Sequence, residues 1–258
     1  MEYTEGPKRA NILGVGVSAT DMNQAVRLSE KRIESEVKGY ICVTGVHGIM
    51  EAQSQPKLRD ILNESFLTIP DGMPTVWVGR LQGLQLDRVY GPDFMSEICR
   101  LSVQKRWRHF LYGGNEDVAP ALKVALETRY PGLDIVGTYT PPFRRLNEQE
   151  LADLQSQISE SGPDVMWIGL STPKQELFMA EHLSQLDVKL MVGVGAAFDI
   201  HIGRIKDAPD IVKRMGLQWA HRLTQDFGRL WYRYLRNNPV FIVKIVLQLM
   251  GINKYPIS

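Results

Sequence analysis

Apolar runs of strand length recur along the chain, and most give way to a stretch in which apolar positions return every three to four residues. ANILGVGV (10–17) precedes MNQAVRLSEKRIE, GYICVTGV (39–46) precedes GIMEAQSQPKLRDILNE, HFLYGG (109–114) precedes EDVAPALKVALETRY, and VMWIGL (165–170) precedes KQELFMAEHL. LMVGVG (190–195) closes the series, and a shorter run, LTIP (67–70), stops at a proline. Strand and helix in alternation predict a parallel sheet with helices on both faces, and such sheets bind ligands at the carboxyl ends of their strands. From about residue 204 the pattern changes. GRIKDAPDIVKRMGLQWAHRLTQDFGRLWYRYLRNNP is rich in Arg, Lys, Trp and Tyr, with Leu217, Leu223, Leu230, Trp231 and Leu235 at apolar positions of two or three short helices. The expected division is an α/β core over 1–203 and a basic, aromatic helical appendage over 204–258. A cap packed on the sheet and a surface for an anionic lipid leaflet both fit that composition.

Composition narrows this little. The chain has 258 residues, 44% hydrophobic and 23% charged, with a formal net charge of +1, which is ordinary for a globular protein and excludes neither nucleic acid nor membrane. Cys42 and Cys99 have no metal-ligand spacing. MEYTEGPKRANILG lacks the apolar stretch of a signal peptide, which predicts a cytoplasmic protein. PVFIVKIVLQLM is broken by Lys244 and Gln248 and falls short of the ~20 residues of a membrane span, so it is suited to lying on a bilayer rather than crossing it.

The candidate chemistry sits where strands end. In WIGLSTPKQELFMAEH (167–182) capping accounts for most of the joint: Ser171 or Thr172 as N-cap, Pro173 in the first turn, Gln175 or Glu176 reaching back. Lys174 is left over, since a cation in the first turn opposes the helix dipole; it points to solvent or answers an anion. After Pro70 comes Asp71-Gly72, either a turn or a carboxylate shielded by Ile69, Met73 and Trp77 and able to act as general base. Other strand mouths carry Thr44, Gly45 and His47; Gly113, Gly114 and Asn115; and Gly193, Gly195, Phe198 and Asp199. Glycine turns leading into helices present N–H groups to phosphate, but GVGAAF is not a full dinucleotide fingerprint and no Walker lysine follows. His47 reads as a hydrogen-bonded loop or core histidine as readily as a catalyst, and no nucleophile motif accompanies it. No Asp-x-Asp pair is present to hold a divalent cation on a diphosphate. Arg and Lys would neutralise it instead, and no metal cofactor is expected.

Taken in order, LTIPDGMPTVW, RVYGPDFM, LYGG, WIGLSTPKQE, GVGAAFDIHIGRIKDAP and RMGLQWAHRLTQDFGRLWYRYLRNNP resemble the WecG/TagA/CpsF family of bacterial glycosyltransferases, over roughly residues 11–240. The resemblance implies a Rossmann-like α/β fold with a C-terminal helical appendage. It also implies inverting transfer of a sugar from a UDP-sugar to an undecaprenyl-diphosphate-linked sugar at the cytoplasmic face of the membrane, in cell-surface polysaccharide synthesis. By the same resemblance Asp71 is the base, and Thr44, Gly72, Arg88, Gly91, Asp93, Gly113, Gly114, Lys174, Gln175, Gly193, Gly195, Phe198 and Asp199 bind substrate. The appendage would supply arginines to the diphosphate, with Arg222, Arg229 and Arg233 the candidates, beside Arg214. Two positions depart from the family pattern: His47 stands where asparagine is common and Tyr90 where threonine is usual. Both lie near the expected sugar pocket, so a hexose such as glucose is as defensible a donor as N-acetylmannosamine or its uronic acid.

The implied partners are the UDP-sugar, a polyprenyl-diphosphate-linked sugar acceptor and the cytoplasmic membrane surface, with no nucleic acid; a homo-oligomer is left open. Two rivals remain at this level: an enzyme modifying a soluble nucleotide-sugar, and a non-catalytic membrane-peripheral protein that binds UDP-sugars.

Overall fold

The computed structural model describes residues 6–35 and 37–257, with the side chains of Arg214 and Arg229 outside that description. In chain order the strands are β1 (Arg9–Ile12), β2 (Val15–Ser18), β3 (Gly39–Thr44), β4 (Leu67–Pro70), β5 (Arg108–Gly113), β6 (Asp134–Tyr139), β7 (Val165–Gly169) and β8 (Leu190–Gly193). The helices are α1 (Met22–Glu34), α2 (Val46–Ser54), α3 (Pro56–Glu64), α4 (Met73–Leu81), α5 (Gly91–Lys105), α6 (Val118–Arg129), α7 (Glu148–Ser161), α8 (Lys174–His182), α9 (Ala197–His201), α10 (Asp210–Arg214), α11 (Gln218–Gln225) and α12 (Phe227–Leu249). The expected α/β architecture is present: a six-stranded sheet ordered β4-β3-β8-β7-β5-β6, in which β3–β8, β8–β7, β7–β5 and β5–β6 all pair in parallel.

The chain forms two compact units, one of residues 1–22, 43–90 and 207–258, the other of 23–42 and 91–206. Strand β3 contributes to both: Gly39–Cys42 pair with Leu190–Gly193, while the backbone N–H of Asp71 donates to the Thr44 carbonyl at its far end.

In the first unit the run ANILGVGV, read from sequence as one strand of the parallel sheet, is instead a separate antiparallel hairpin. Leu13 and Gly14 both take positive φ, 54° and 83°, the geometry of a tight two-residue turn, and the Asn11 side chain accepts from the Gly14 N–H. The turn and β2 are buried without a break, which hid the reversal from the pattern. The C-terminal stretch does not stand apart from this unit. Gln248 of α12 accepts from the Leu13 N–H and donates to the Asn11 carbonyl, and Asn11 Nδ2 donates to the Tyr255 carbonyl. The compact division therefore falls elsewhere than at residue 204: residues 207–258 complete the unit that holds β1, β2, β4 and α2–α4.

Helix α12 also differs from the short helices expected, running 23 residues through Pro239. Leu230, Phe241 and Ile245 are buried along one stripe, which Asn237 and Gln248 continue with their hydrogen bonds. On the other side Trp231, Leu235, Ile242, Val246 and Leu249 are exposed. Among the described residues no helix is long and apolar enough to cross a membrane.

The second unit carries the parallel core, with Phe110, Leu111, Met166, Trp167, Met191 and Val192 buried in its central strands. Its edge strand β6 escaped the sequence reading because only Ile135 of its six residues is fully buried.

Candidate active site

In the first unit Asp71 stands at the carboxyl end of β4, in the two-residue link to α4, whose N-cap is Gly72. A β-carbon placed on Gly45, the N-cap of α2, would lie 3.9 Å from Asp71 Oδ2. The carboxylate is thus held where two nine-residue helices begin, and helix N-termini favour negative charge. Its backbone is fixed on both sides: the N–H donates to the Thr44 carbonyl at 3.1 Å, and Arg88 Nε donates to its carbonyl at 2.8 Å. Thr44 Oγ1 is buried with no hydrogen-bond partner among the described residues.

Arg88 does more than hold that loop. Its Nη2 donates to Gln218 of α11 at 2.5 Å, and the guanidinium lies 4.2 Å from the centre of the Tyr90 ring. The Tyr90 hydroxyl donates to Asp207 Oδ1 at 2.9 Å, and Asp207 Oδ2 pairs with Lys213 Nζ at 2.5 Å. Burial, then the negative charges of Asp71 and Asp207 and the hydrogen bond to Asp207, push the Tyr90 hydroxyl well above its ordinary pKa, with Arg222 acting the other way. Tyr90 is therefore a neutral hydrogen-bond donor across the physiological range.

His47 lies in the first turn of α2, where Nδ1 meets Asn237 Nδ2 of α12 at 3.3 Å and Glu51 at 3.7 Å. Arg222 on α11 and Arg233 on α12 are both half-buried. The Arg229 and Arg214 side chains lie outside the described residues.

The second unit gathers the glycines. Gly113 ends β5, Gly169 ends β7 and Gly193 ends β8, and the Gly114 N–H donates to the Gly169 carbonyl at 3.1 Å. Beside them α8 begins at Lys174, which is exposed. The capping expected here is not what forms. Pro173 is the N-cap residue without a side-chain cap, and Thr172 Oγ1 donates instead to Glu176 Oε1 at 2.9 Å. Gln175 donates to the same oxygen at 3.0 Å and accepts from the Gly195 N–H at 3.0 Å, so this buried amide ties the first turn of α8 to the loop after β8. Burial raises the Glu176 pKa against the lowering effect of these hydrogen bonds, and its Oε2 is buried without a hydrogen-bond partner among the described residues.

Phe198 lies in the short helix α9. It is 1% exposed and occupies the space a β-carbon on Gly169 would need, so it packs the core behind the strand ends. Asp199, next along α9, is half-buried. Gly91 opens α5 and is buried, and Asp93 in its first turn is exposed.

The structure thus brings Thr44, Asp71, Gly72 and Arg88 together in one unit, and Gly113, Gly114, Gln175, Gly193 and Gly195 together in the other. Sequence reasoning gave no role to Asp207, Lys213 or Gln218. The segment holding them was set down as appendage, and what joins them to Arg88 and Tyr90 is a fold-level contact that no local spacing encodes.

Parallel strands whose carboxyl ends carry the polar and glycine positions place the protein in the Rossmann-like α/β class. Within that class, the chain belongs to the glycosyl transferase WecG/TagA/CpsF family, whose model matches residues 10–255. It is similar to the N-acetylglucosaminyldiphosphoundecaprenol N-acetyl-beta-D-mannosaminyltransferases of Bacillus spizizenii (31% identical over 200 residues, 77% of this chain and 76% of the relative). The protein of that description from Bacillus subtilis is 30% identical over 177 residues, 68% and 67% of the two chains. The one from Staphylococcus aureus strain MRSA252 is 25% identical over 248 residues, 95% of each.

Proposed function

We propose that this glycosyltransferase moves a sugar from a UDP-sugar to a sugar carried on undecaprenyl diphosphate, by one displacement with Asp71 as general base. The observation that carries the reading is the placement of Asp71: a carboxylate at a strand mouth, backbone-locked from both sides, with Arg88 bonded to its carbonyl. In the reaction the acceptor hydroxyl gives its proton to Asp71 as its oxygen bonds to the anomeric carbon. The bond from that carbon to the diphosphate breaks on the opposite face, and UDP leaves. A positioned base contributes ~10²–10⁴-fold, and cationic side chains stabilise the departing diphosphate. The relatives' names make N-acetylmannosamine the first donor sugar to test and N-acetylglucosaminyl-diphosphoundecaprenol the first acceptor. His47 keeps a hexose such as glucose in the comparison. The deciding experiment is a panel of UDP-sugars with a short-chain lipid-diphosphate N-acetylglucosamine; turnover with none of them would remove the reading.

No metal cofactor is part of this proposal, because the sequence has no Asp-x-Asp pair. Turnover is expected to persist in excess EDTA; strict dependence on magnesium or manganese would contradict it.

Peripheral attachment to the inner face of the membrane is proposed from α12. The face turned away from its packing stripe exposes Trp231, Leu235, Ile242, Val243, Val246 and Leu249, an arrangement suited to the interfacial layer of a bilayer. Val243→Asp, at an exposed site, should weaken binding to anionic vesicles in a co-sedimentation assay while sparing turnover of a soluble short-chain acceptor. Unchanged vesicle binding would count against this face as the docking surface.

A further inference from the structure

Residues 207–218 meet the elements on either side of Asp71, the 88–90 segment and α4, at three separate places. The first is the Tyr90 hydroxyl on Asp207, a carboxylate also held by the Ala208 N–H at 2.8 Å and by Lys213. The second is Gln218 Oε1, which accepts from Arg88 Nη2 while Arg88 Nε holds the Asp71 carbonyl. The third is Gly216. A β-carbon there would lie 2.8 Å from the Trp77 ring and 3.3 Å from Met73 Cβ, so the segment lies flush on α4, the helix that Asp71-Gly72 leads into.

Two members of the polar half are buried, while Arg88, Asp207 and Gln218 are half-buried. Tyr90 is 5% exposed and Lys213 is 8% exposed. The ring of Tyr90 has the Arg88 guanidinium at 4.2 Å and the Lys213 ammonium at 5.2 Å from its centre, so one side chain stabilises both cations while its hydroxyl holds the acid that neutralises one of them. A shorter hydroxyl side chain at position 90 would lack both the ring and the reach. Arg88 is the shared node: whatever shifts Tyr90 or Gln218 shifts the guanidinium, and the guanidinium holds the Asp71 backbone.

We propose that Tyr90 and Gln218 are positioning residues for Asp71, acting through Arg88, so that the segment following residue 206 sets the geometry of the base. This rests on the reading of Asp71 as the base. Its consequence is specific: a loosened grip misaims the carboxylate without removing any group that binds the donor. Misplacement of a reacting group on the scale of 1 Å costs up to ~10²-fold in rate.

The test compares Tyr90→Phe, Gln218→Ala and the double variant with the wild-type full chain, using the UDP-sugar and short-chain acceptor on which the wild type turns over. The two single changes are mild, since phenylalanine keeps the ring under Arg88 and alanine at 218 leaves Arg88 its bond to Asp71. Each single variant should lower kcat roughly fivefold to fiftyfold, with the donor KM within about twofold and the melting temperature close to wild type. Because both act through one guanidinium, the double variant should lose less than the product of the two single losses. Three results would overturn the inference: kcat within twofold of wild type in both single variants, a rise in donor KM at unchanged kcat, or a fall in melting temperature with kcat intact. Asp71→Asn run alongside separates the two levels. Full activity in that variant removes the base assignment and this inference with it, whereas an inactive Asp71→Asn beside a fully active Tyr90→Phe and Gln218→Ala removes the positioning role alone.

Discussion

Asp71→Asn is expected to lower kcat by about 10²–10⁴-fold while UDP binds as tightly as to the wild type. The amide has the shape of the carboxylate, and the bonds made by the Asp71 backbone N–H and carbonyl are the same in both. What the amide cannot do is take a proton. If the carboxylate is the base, the loss falls on the chemical step, and kcat drops with little change in donor affinity. A carboxylate that merely neutralised Arg88 or Arg222 would give a different result, because removing its charge would change affinity for an anionic donor. Rapid-quench turnover with calorimetric UDP titration measures both quantities on one preparation. Near-normal turnover in the variant would remove Asp71 from the reaction.

Gly113→Ala is expected to destabilise the protein by about 2–4 kcal/mol, from backbone strain and overpacking together. Gly113 has φ of 121°, and a β-carbon there would lie 2.8 Å from both the carbonyl carbon and oxygen of Gly169 on the paired strand. Backbone atoms in a parallel ladder have no rotamer to move to, so the strand ends themselves must part. Gly203 supplies the comparison, with φ of 77° and nothing among the described residues within 4 Å of the added carbon. Gly203→Ala carries only the left-handed backbone cost of roughly 1–2 kcal/mol. Urea unfolding of the two variants separates conformation from contact. Equal losses would show that the β5–β7 mouth yields and that its glycine is not required for close approach.

The parallel core was legible because buried strands such as VMWIG and LMVG are continuous apolar runs bounded by polar turns, and each is found where the pattern puts it. Helix α1 matches its periodic stretch residue for residue. The hairpin of β1 and β2 was not legible, since a buried turn of Leu13-Gly14 between Ile12 and Val15 looks like unbroken strand until the reversal is seen. Strand β6 failed for the opposite reason, being an edge strand with little buried surface. At the site, Asp71 and the glycine mouths were readable because strand ends announce themselves through turn residues. Gln175 lies in the first turn of α8, where the pattern puts it, but its bond from the Gly195 N–H was not readable, because it joins segments that only the fold brings near. The same applies to Asp207 and Gln218: their hydrogen-bonding partners lie 117 and 130 residues away, and a basic, aromatic composition says nothing about which acid in it will meet Tyr90.

The central claim is a single displacement at the anomeric carbon of a UDP-sugar, with the new bond made to a lipid-diphosphate-linked sugar. Proton NMR of the first-formed product, starting from an α-linked UDP-sugar that the enzyme turns over, tests it most directly through the anomeric coupling and the one-bond carbon–proton coupling. The account predicts a β-linked sugar on the acceptor, formed with release of one UDP per linkage. An α-linked product, or UDP release with no extension of the acceptor, would contradict it.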